Sequence, residues 1–445
     1  MKLAVWSPLP PSPSGIADYV AEQLPALAEA HDVVVVVEDP AAVEPGLRRA
    51  FAVAGAQEAP EADLDVYHLG NSPAHGFVYR AALRRPGVAF LHDFSLHHLV
   101  LRETVERGDR LGYLRQMRRG YGEAGSFVGR QVARGLGGEL LPALFPLNER
   151  VLDASLAVVA LSARVARLAA QSLPAGRPVL RLAHHLSLPI EPPSRRDARA
   201  ALGIPEDALV VCCPGLATAS KRLDVAMRVT ARLRATRPTL RLVVAGGIES
   251  GLPLAAWAAA AGLGPGFVAS GRLSLEDFVR QLAAADVVLA LRFPSHGEMS
   301  GAAVRALGVG RPVLVSAGTP LCEEFPEGVV LPVSPGFTEE AELEALLGRL
   351  LDDEPLRATI GALAARHVAT HHDLRATATT LGDFLREVAA LRPALAAQIE
   401  AARLPEGSLL DDYAQELRRC ARELGVAGVP TGVEPLLAEL AGPQA

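Results

Sequence analysis

Short runs of β-branched and apolar residues, each bounded by Gly, Pro or Asp, recur along this chain with helical patterns between them, and the series occurs twice. The first half carries KLAVWSP, DVVVVVE, DVYHLG, GVAFLHD, LAVVALS and VLRLAHH; the second carries ALVVCCPG, LRLVVAGG, GFVASGR, DVVLALR, PVLVSAG and VVLPV. Continuous rather than alternating apolar strands are what a parallel sheet requires, because helices cover both of its faces. Amphipathic segments such as IADYVAEQLPALAEA, with Ile16, Val20, Leu24 and Leu27 on one face, supply that cover. The pattern predicts an α/β fold of two Rossmann-like, doubly wound domains facing each other.

The break between the two series is the Pro-rich, charged LSLPIEPPSRRDARAALGIPEDA, which places a hinge near 187–195. The expected division is a first domain over 1–190, a second over 191–373, and C-terminal helices over 374–445. Residues 97–150 hold only helical patterns rich in Arg and Gly and read as a helical insertion in the first domain. The first of the C-terminal helices is expected to pack back on that domain, and a Pro/Gly break interrupts the tail at 426–434. A chain of 445 residues suits two cores.

Composition narrows the function classes. There is no run of eighteen apolar residues for a membrane span, and the opening MKLAVWSPLPPSPSG is cut by prolines too early for a secretory apolar region. Cys212, Cys213, Cys322 and Cys420 lack metal-finger spacing, which points to a reducing cytoplasm. A net charge of −6 argues against nucleic acid as a partner. Of 44 Lys and Arg residues only Lys2 and Lys221 are lysine, and Asn71 and Asn148 are the only asparagines. Where ordinary surface cations have drifted to arginine, a lysine deep in the chain marks a position that needs a compact ammonium.

In doubly wound sheets ligands bind beyond the carboxyl ends of the strands, where loops carry helix N-termini. Gly15 lies there after the first strand, and no G-x-G-x-x-G follows that strand, which weighs against a nicotinamide or flavin cofactor. Asn71, His75, His92 and Asp93 leave strand ends on one side of the first sheet and form a candidate polar pocket. Metal ligation is the rival reading of His92 with His97 or His98, and of His367 with His371. Neither set has a carboxylate in a metal-site arrangement and H-E-x-x-H is absent, so no metal is expected.

In the second half Lys221 comes six residues after Gly215 at a helix opening, an ammonium beside free backbone N–H groups. Gly271–Arg272 makes a turn where a flat ring fits against backbone. Glu298 ends the DVVLALRFPSHG stretch, and Met299, Ser300 and Gly301 free backbone N–H groups at the next helix start. An acid for vicinal hydroxyls beside an anion-binding helix mouth describes a nucleotide-sugar site.

The segments PSPSGIADY, LHDFSLHHL, GLATASKRLD, GRLSLEDF and PSHGEMSGAAVRALGVGRPV resemble those of the family-4 retaining glycosyltransferases over about residues 1–390, in a divergent subgroup with a G-E-x-S-G motif. The resemblance implies the GT-B architecture and transfer of a hexose, with retention, from a nucleotide-diphosphate sugar to a hydroxyl acceptor such as a glycan. It implies no cofactor and no metal, and leaves room for peripheral membrane association. By position, Gly15 matches the glycine loop near the donor phosphates, His92 the histidine at the sugar, Lys221 the diphosphate lysine and Glu298 the first acid of the family's Pro-Ser-x-x-Glu stretch. His92, Lys221 and Glu298 are thus the catalytic candidates. Gly215, Arg222, Arg272, Met299, Ser300, Gly301 and Arg305 join the donor set, and Asn71, His75 and Asp93 the acceptor side.

Two positions depart from the family. Leu216 stands where an arginine is usual, and the second acid falls at Ala306 by count or Arg305 by helix register. Arg305 cannot accept hydrogen bonds from ribose hydroxyls; it either supplies the missing cation or pairs outside the pocket. The rival functions are a nucleotide-sugar epimerase of the same fold, using Asp93 and Glu298, and a degenerate partner subunit that binds without transfer.

Overall fold

The computed structural model describes residues 1–402 together with 417, 419, 420 and 424; the expected break at 426–434 lies outside them. Contacts divide the chain into two compact units, one built from Met1–Leu182, His296–Met299 and Arg375–Ala445, the other from Ala183–Ser295 and Ser300–Leu374.

The first unit holds a seven-stranded parallel sheet of β1 (Lys2–Trp6), β2 (Asp32–Val37), β3 (Ala52–Gly55), β4 (Leu64–Leu69), β5 (Val88–Leu91), β6 (Ala157–Ala160) and β7 (Val179–Arg181), in the order β3-β2-β1-β4-β5-β6-β7. Leu3 pairs with Val33 on one side and Leu64 on the other, so β1 is central and the chain reverses direction across the sheet between β1 and β4. That reversal opens a crevice at the carboxyl ends of β1 and β4. Helix α1 (Gly15–Ala28) leaves that crevice; Ser14 caps it by accepting from the Ile16 N–H, and Val20, Leu24 and Leu27 are buried.

The insertion is helical, with α2 (His97–Glu103) and α3 (Arg110–Val132), the latter interrupted at Gly122, whose φ of 58° no helix tolerates. A late helix, Leu374–Ala401, buries Leu381, Leu385 and Val388 among Leu3, Val5, Val35 and Leu24 of the first sheet's core.

The second unit holds a six-stranded parallel sheet of β8 (Val210–Pro214), β9 (Arg241–Ala245), β10 (Phe267–Gly271), β11 (Val287–Ala290), β12 (Val313–Ser316) and β13 (Leu331–Val333), in the order β10-β9-β8-β11-β12-β13. This is the dinucleotide-fold order, and its switch point lies between β8 and β11. Beneath it, at the amino end of β11, the buried Asp286 carboxylate takes the Arg199 guanidinium at 2.7 Å and the Val210 N–H at 2.7 Å. Among the described residues no helix is long and apolar enough to cross a membrane.

Candidate functional site

In the second unit the site grows from the two strands that flank the switch point. After β8 the chain turns at Gly215, whose φ of 82° is left-handed. A Cβ at Gly215 would lie 3.0 Å from the Lys221 Nζ and 3.5 Å from the Ala302 Cβ. The glycine therefore brings together, at one point, the lysine and the start of helix α4 (Gly301–Gly308). Lys221 is half-buried and donates to the Pro214 carbonyl at 2.6 Å, which aims the ammonium back over the strand end. Ser300 caps α4 by accepting from the Ala303 N–H at 3.2 Å. A Cβ at Gly301 would stand 3.1 Å from the His184 ring, so any larger residue at this helix start would press on that imidazole.

The other donor-side candidates have partners of their own, and Arg305 Nη1 stays beside the helix start, 3.3 Å from where a Cβ on Gly301 would stand. Arg222 has a left-handed φ of 54° and turns its guanidinium onto the buried Glu339, donating from Nε at 3.1 Å to each oxygen. Arg305 donates from Nε to the Ser187 carbonyl at 3.2 Å, in the segment read as a hinge. Arg272 is exposed beside Gly271, which has a φ of 69° and bridges to Gly246. Leu216, beside Gly215, is half exposed.

In the first unit Gly15 is the first residue of α1, and a Cβ there would meet nothing within 4 Å, so the fold itself does not demand glycine. His92 is buried, and its Nε2 lies 2.9 Å from the Nδ1 of His68 on the neighbouring strand β4. Phe90 stacks on both imidazoles, and the Tyr19 ring stands edge-on to His92. Sequence reasoning missed His68; the signal was the HL end of DVYHLG, which faces GVAFLHD once β4 and β5 pair.

Asn71 and Asp93 have local partners. Asp93 accepts the Asn71 N–H at 2.7 Å, and the Asn71 side-chain oxygen accepts from His98 and Leu99 N–H, capping α2 from a distant strand end. His75 is fully buried with Nδ1 at 2.9 Å from the His68 carbonyl oxygen.

The segment His296–Met299 packs with this unit. The Ser95 N–H donates to the His296 carbonyl at 2.8 Å, and Gly297, with φ 87°, comes so near Phe94 that a Cβ would sit 2.4 Å from the phenylalanine Cβ. Glu298, accepting from the His296 N–H at 2.6 Å, is thereby carried to the loop that follows His92. Met299 is half-buried against the first sheet's core.

Burial pushes the His75 and His97 imidazoles down to about 4, against a carbonyl hydrogen bond in each case. Both are neutral in the fold, whereas an unfolded chain protonates them near 6.5. The unfolded state therefore binds more protons between about 6.5 and 4. The stabilisation from neutral burial is whole above that window and is lost as pH falls through it, by about 1.4 kcal/mol per pH unit for each histidine. Urea unfolding at pH 7 and pH 5 should show this loss, and His75→Gln should flatten the pH slope by about one proton's worth. An unchanged slope in that variant would show that His75 does not contribute.

Among the described residues no three His, Cys, Asp or Glu side chains group as metal ligands. The Cys213 thiol is pushed up to about 12 by burial, and that of Cys212 is also raised, so neither is a nucleophile at neutral pH.

Two parallel-sheet Rossmann-like units with this strand order have the fold of the GT-B glycosyltransferases. HepE of Anabaena, solved in complex with UDP and glucose, is 18% identical and aligns over 87% of this chain and 100% of its own with a TM-score of 0.63. Sucrose-phosphate synthase from Thermosynechococcus elongatus, also 18% identical, aligns over 88% of this chain and 99% of its own with a TM-score of 0.61. At that identity the likeness shows the fold alone.

Residues 194–367, which include Gly215, Lys221, Glu298 and Arg305, match the family model described as Glycosyl transferases group 1. A D-inositol 3-phosphate glycosyltransferase from Mycolicibacterium paratuberculosis is 32% identical over 204 residues, 44% of this chain and 44% of the relative. The chain thus spans less than half the length of the curated relatives it matches. These matches support kinship with the glycosyltransferase group 1 family.

Proposed function

We propose that the protein is a retaining glycosyltransferase that moves a hexose from a nucleotide-diphosphate sugar to a hydroxyl acceptor. The observation that carries this reading is the convergence of Gly215, Lys221 and the N-terminus of α4 at the switch point of the second sheet. An ammonium, the positive end of a helix and a turn without a Cβ together accept a diphosphate. Lys221 stabilises the negative charge that grows on the diphosphate as the sugar leaves, an electrostatic role strongest in a site that excludes water. By the family resemblance Glu298 and His92, both of the first unit, are the groups that would meet the sugar, and Phe90, Tyr19 and His68 set the His92 ring position. That HepE is solved with UDP and glucose, and that the curated relative is named for transfer to an inositol phosphate, agree with this chemistry.

The test is a screen of nucleotide sugars that reads released nucleoside diphosphate, with and without hydroxyl acceptors. Release that depends on acceptor is the expected result; turnover without any acceptor, or none with any donor, overturns the reading. With cations rather than a metal at the diphosphate, excess chelator should leave turnover within about twofold. Loss restored by Zn²⁺ or Mn²⁺ would reassign the histidines around His92.

A further inference from the structure

A departing nucleoside diphosphate carries more charge than one ammonium offsets, and Leu216, next to Gly215, is half exposed and supplies none. Of the nearby arginines, Arg222 is bonded to Glu339, and Arg305 lies beside Gly301 with its Nε donating to the Ser187 carbonyl. Strand order brings another. β11 lies beside β8 across the switch point, and two residues beyond its end stands Arg292.

Three bonds fix Arg292 against the lysine loop. Its N–H donates to the Ser316 Oγ at 2.9 Å, at the end of β12. The next N–H, of Phe293, donates to the Ser220 carbonyl at 2.7 Å. The guanidinium itself reaches the Ser220 Oγ at 3.4 Å, and Ser220 Oγ lies 3.1 Å from the Thr218 Oγ1. Ser220 immediately precedes Lys221. Lys221 and Arg292 therefore come from the two strands whose divergence makes the crevice, with two hydroxyls beside them.

We infer that Arg292 is a binding residue for the diphosphate of the donor, supplying a second cation beside Lys221. This deepens the glycosyltransferase reading and rests on it for the identity of the ligand. The division of labour follows from side-chain chemistry. The lysine, a point charge held over Gly215, follows the phosphate nearest the α4 N-terminus; the planar guanidinium takes two oxygens of one phosphate at once. The half-buried setting of both groups lessens screening by salt relative to a surface arginine.

The experiment titrates inorganic pyrophosphate, UDP and GDP into the parent protein, Arg292→Ala and Arg292→Gln by calorimetry, with thermal unfolding of each unliganded variant as the check on folding. Glutamine keeps a donor toward Ser220 without the charge, so it answers the question if alanine disturbs the loop. The expected result is at least tenfold weaker binding of pyrophosphate, and of whichever nucleotide the parent binds, in both variants, with partial recovery in Arg292→Lys. A folded Arg292→Gln that binds these anions as tightly as the parent overturns the assignment while leaving the glycosyltransferase reading intact. Pyrophosphate binding that depends on Arg292 in a protein indifferent to UDP, GDP and every donor sugar supports the anion site and overturns the nucleotide-sugar reading. A parent that binds none of the three anions overturns both.

Discussion

Lys221→Ala should lower turnover a hundredfold or more, the loss of about 2.7–4 kcal/mol that accompanies removal of one transition-state donor. The lysine is one of two in the chain, and its Nζ is held to the Pro214 carbonyl at 2.6 Å, over a glycine with no Cβ to obstruct it. Stability should change by less than about 1 kcal/mol, since Lys221 is half-buried and its bond to the Pro214 carbonyl is of modest net worth. Lys221→Arg should rescue only in part, because a planar guanidinium does not reproduce the compact ammonium held at the Pro214 carbonyl. Steady-state rates on a donor identified by the screen, with urea midpoints for each variant, decide the matter. Parental turnover in a folded Lys221→Ala protein would remove Lys221 from the diphosphate site.

Asp286→Ala should have the opposite signature. Its carboxylate is 0% exposed and the Arg199 side chain 1%, and the pair at 2.7 Å is joined by the Val210 N–H at 2.7 Å and by Arg195 at 3.1 Å. Removing the acid leaves the Arg199 guanidinium buried without its counter-charge, which costs about 3–5 kcal/mol. Turnover per folded molecule should hold, because Asp286 sits at the amino end of β11 while the lysine loop lies at the carboxyl ends of the strands. Denaturant unfolding provides the check, and a loss below about 1 kcal/mol would mean that the cluster of arginines is satisfied by its carbonyl partners alone.

The two predictions separate what reads from sequence and what does not. Lys221 stands out in the sequence because a coding bias against lysine makes a lysine deep in the chain conspicuous, and because it follows a glycine at a strand end. The apolar runs were legible as strands for a similar reason: five consecutive valines in β2 or the VVCC of β8 have no polar face to present to water. The exception is β3, Ala52–Gly55, which the sequence reading passed over. Its AVAG has one β-branched residue, and it becomes a strand through the ladder with β2, from Val34↔Ala52 to Val37↔Gly55.

Asp286 and Arg292 fall on the other side. Each is an ordinary charged residue at one end of the run DVVLALR, and nothing in that run distinguishes an anchor from an anion binder. Order along the chain does not reveal that β11 lies beside β8, some seventy residues earlier, rather than beside β10. Once it does, Asp286 meets Arg199 at one end and Arg292 meets Ser220 at the other. Asn71 and His68 are of the same kind: a scarce asparagine drew notice as a pocket residue, but only the pairing of β4 with β5 shows its oxygen capping α2 and the His68 imidazole bonded to His92. Local chemistry, through strand and helix periodicity, turn glycines and a rare lysine, determined the two-sheet fold and singled out the lysine loop. Partner choice among distant charges depended on strand order, because electrostatic and hydrogen-bond energies act over a few ångströms of space and are blind to separation along the chain.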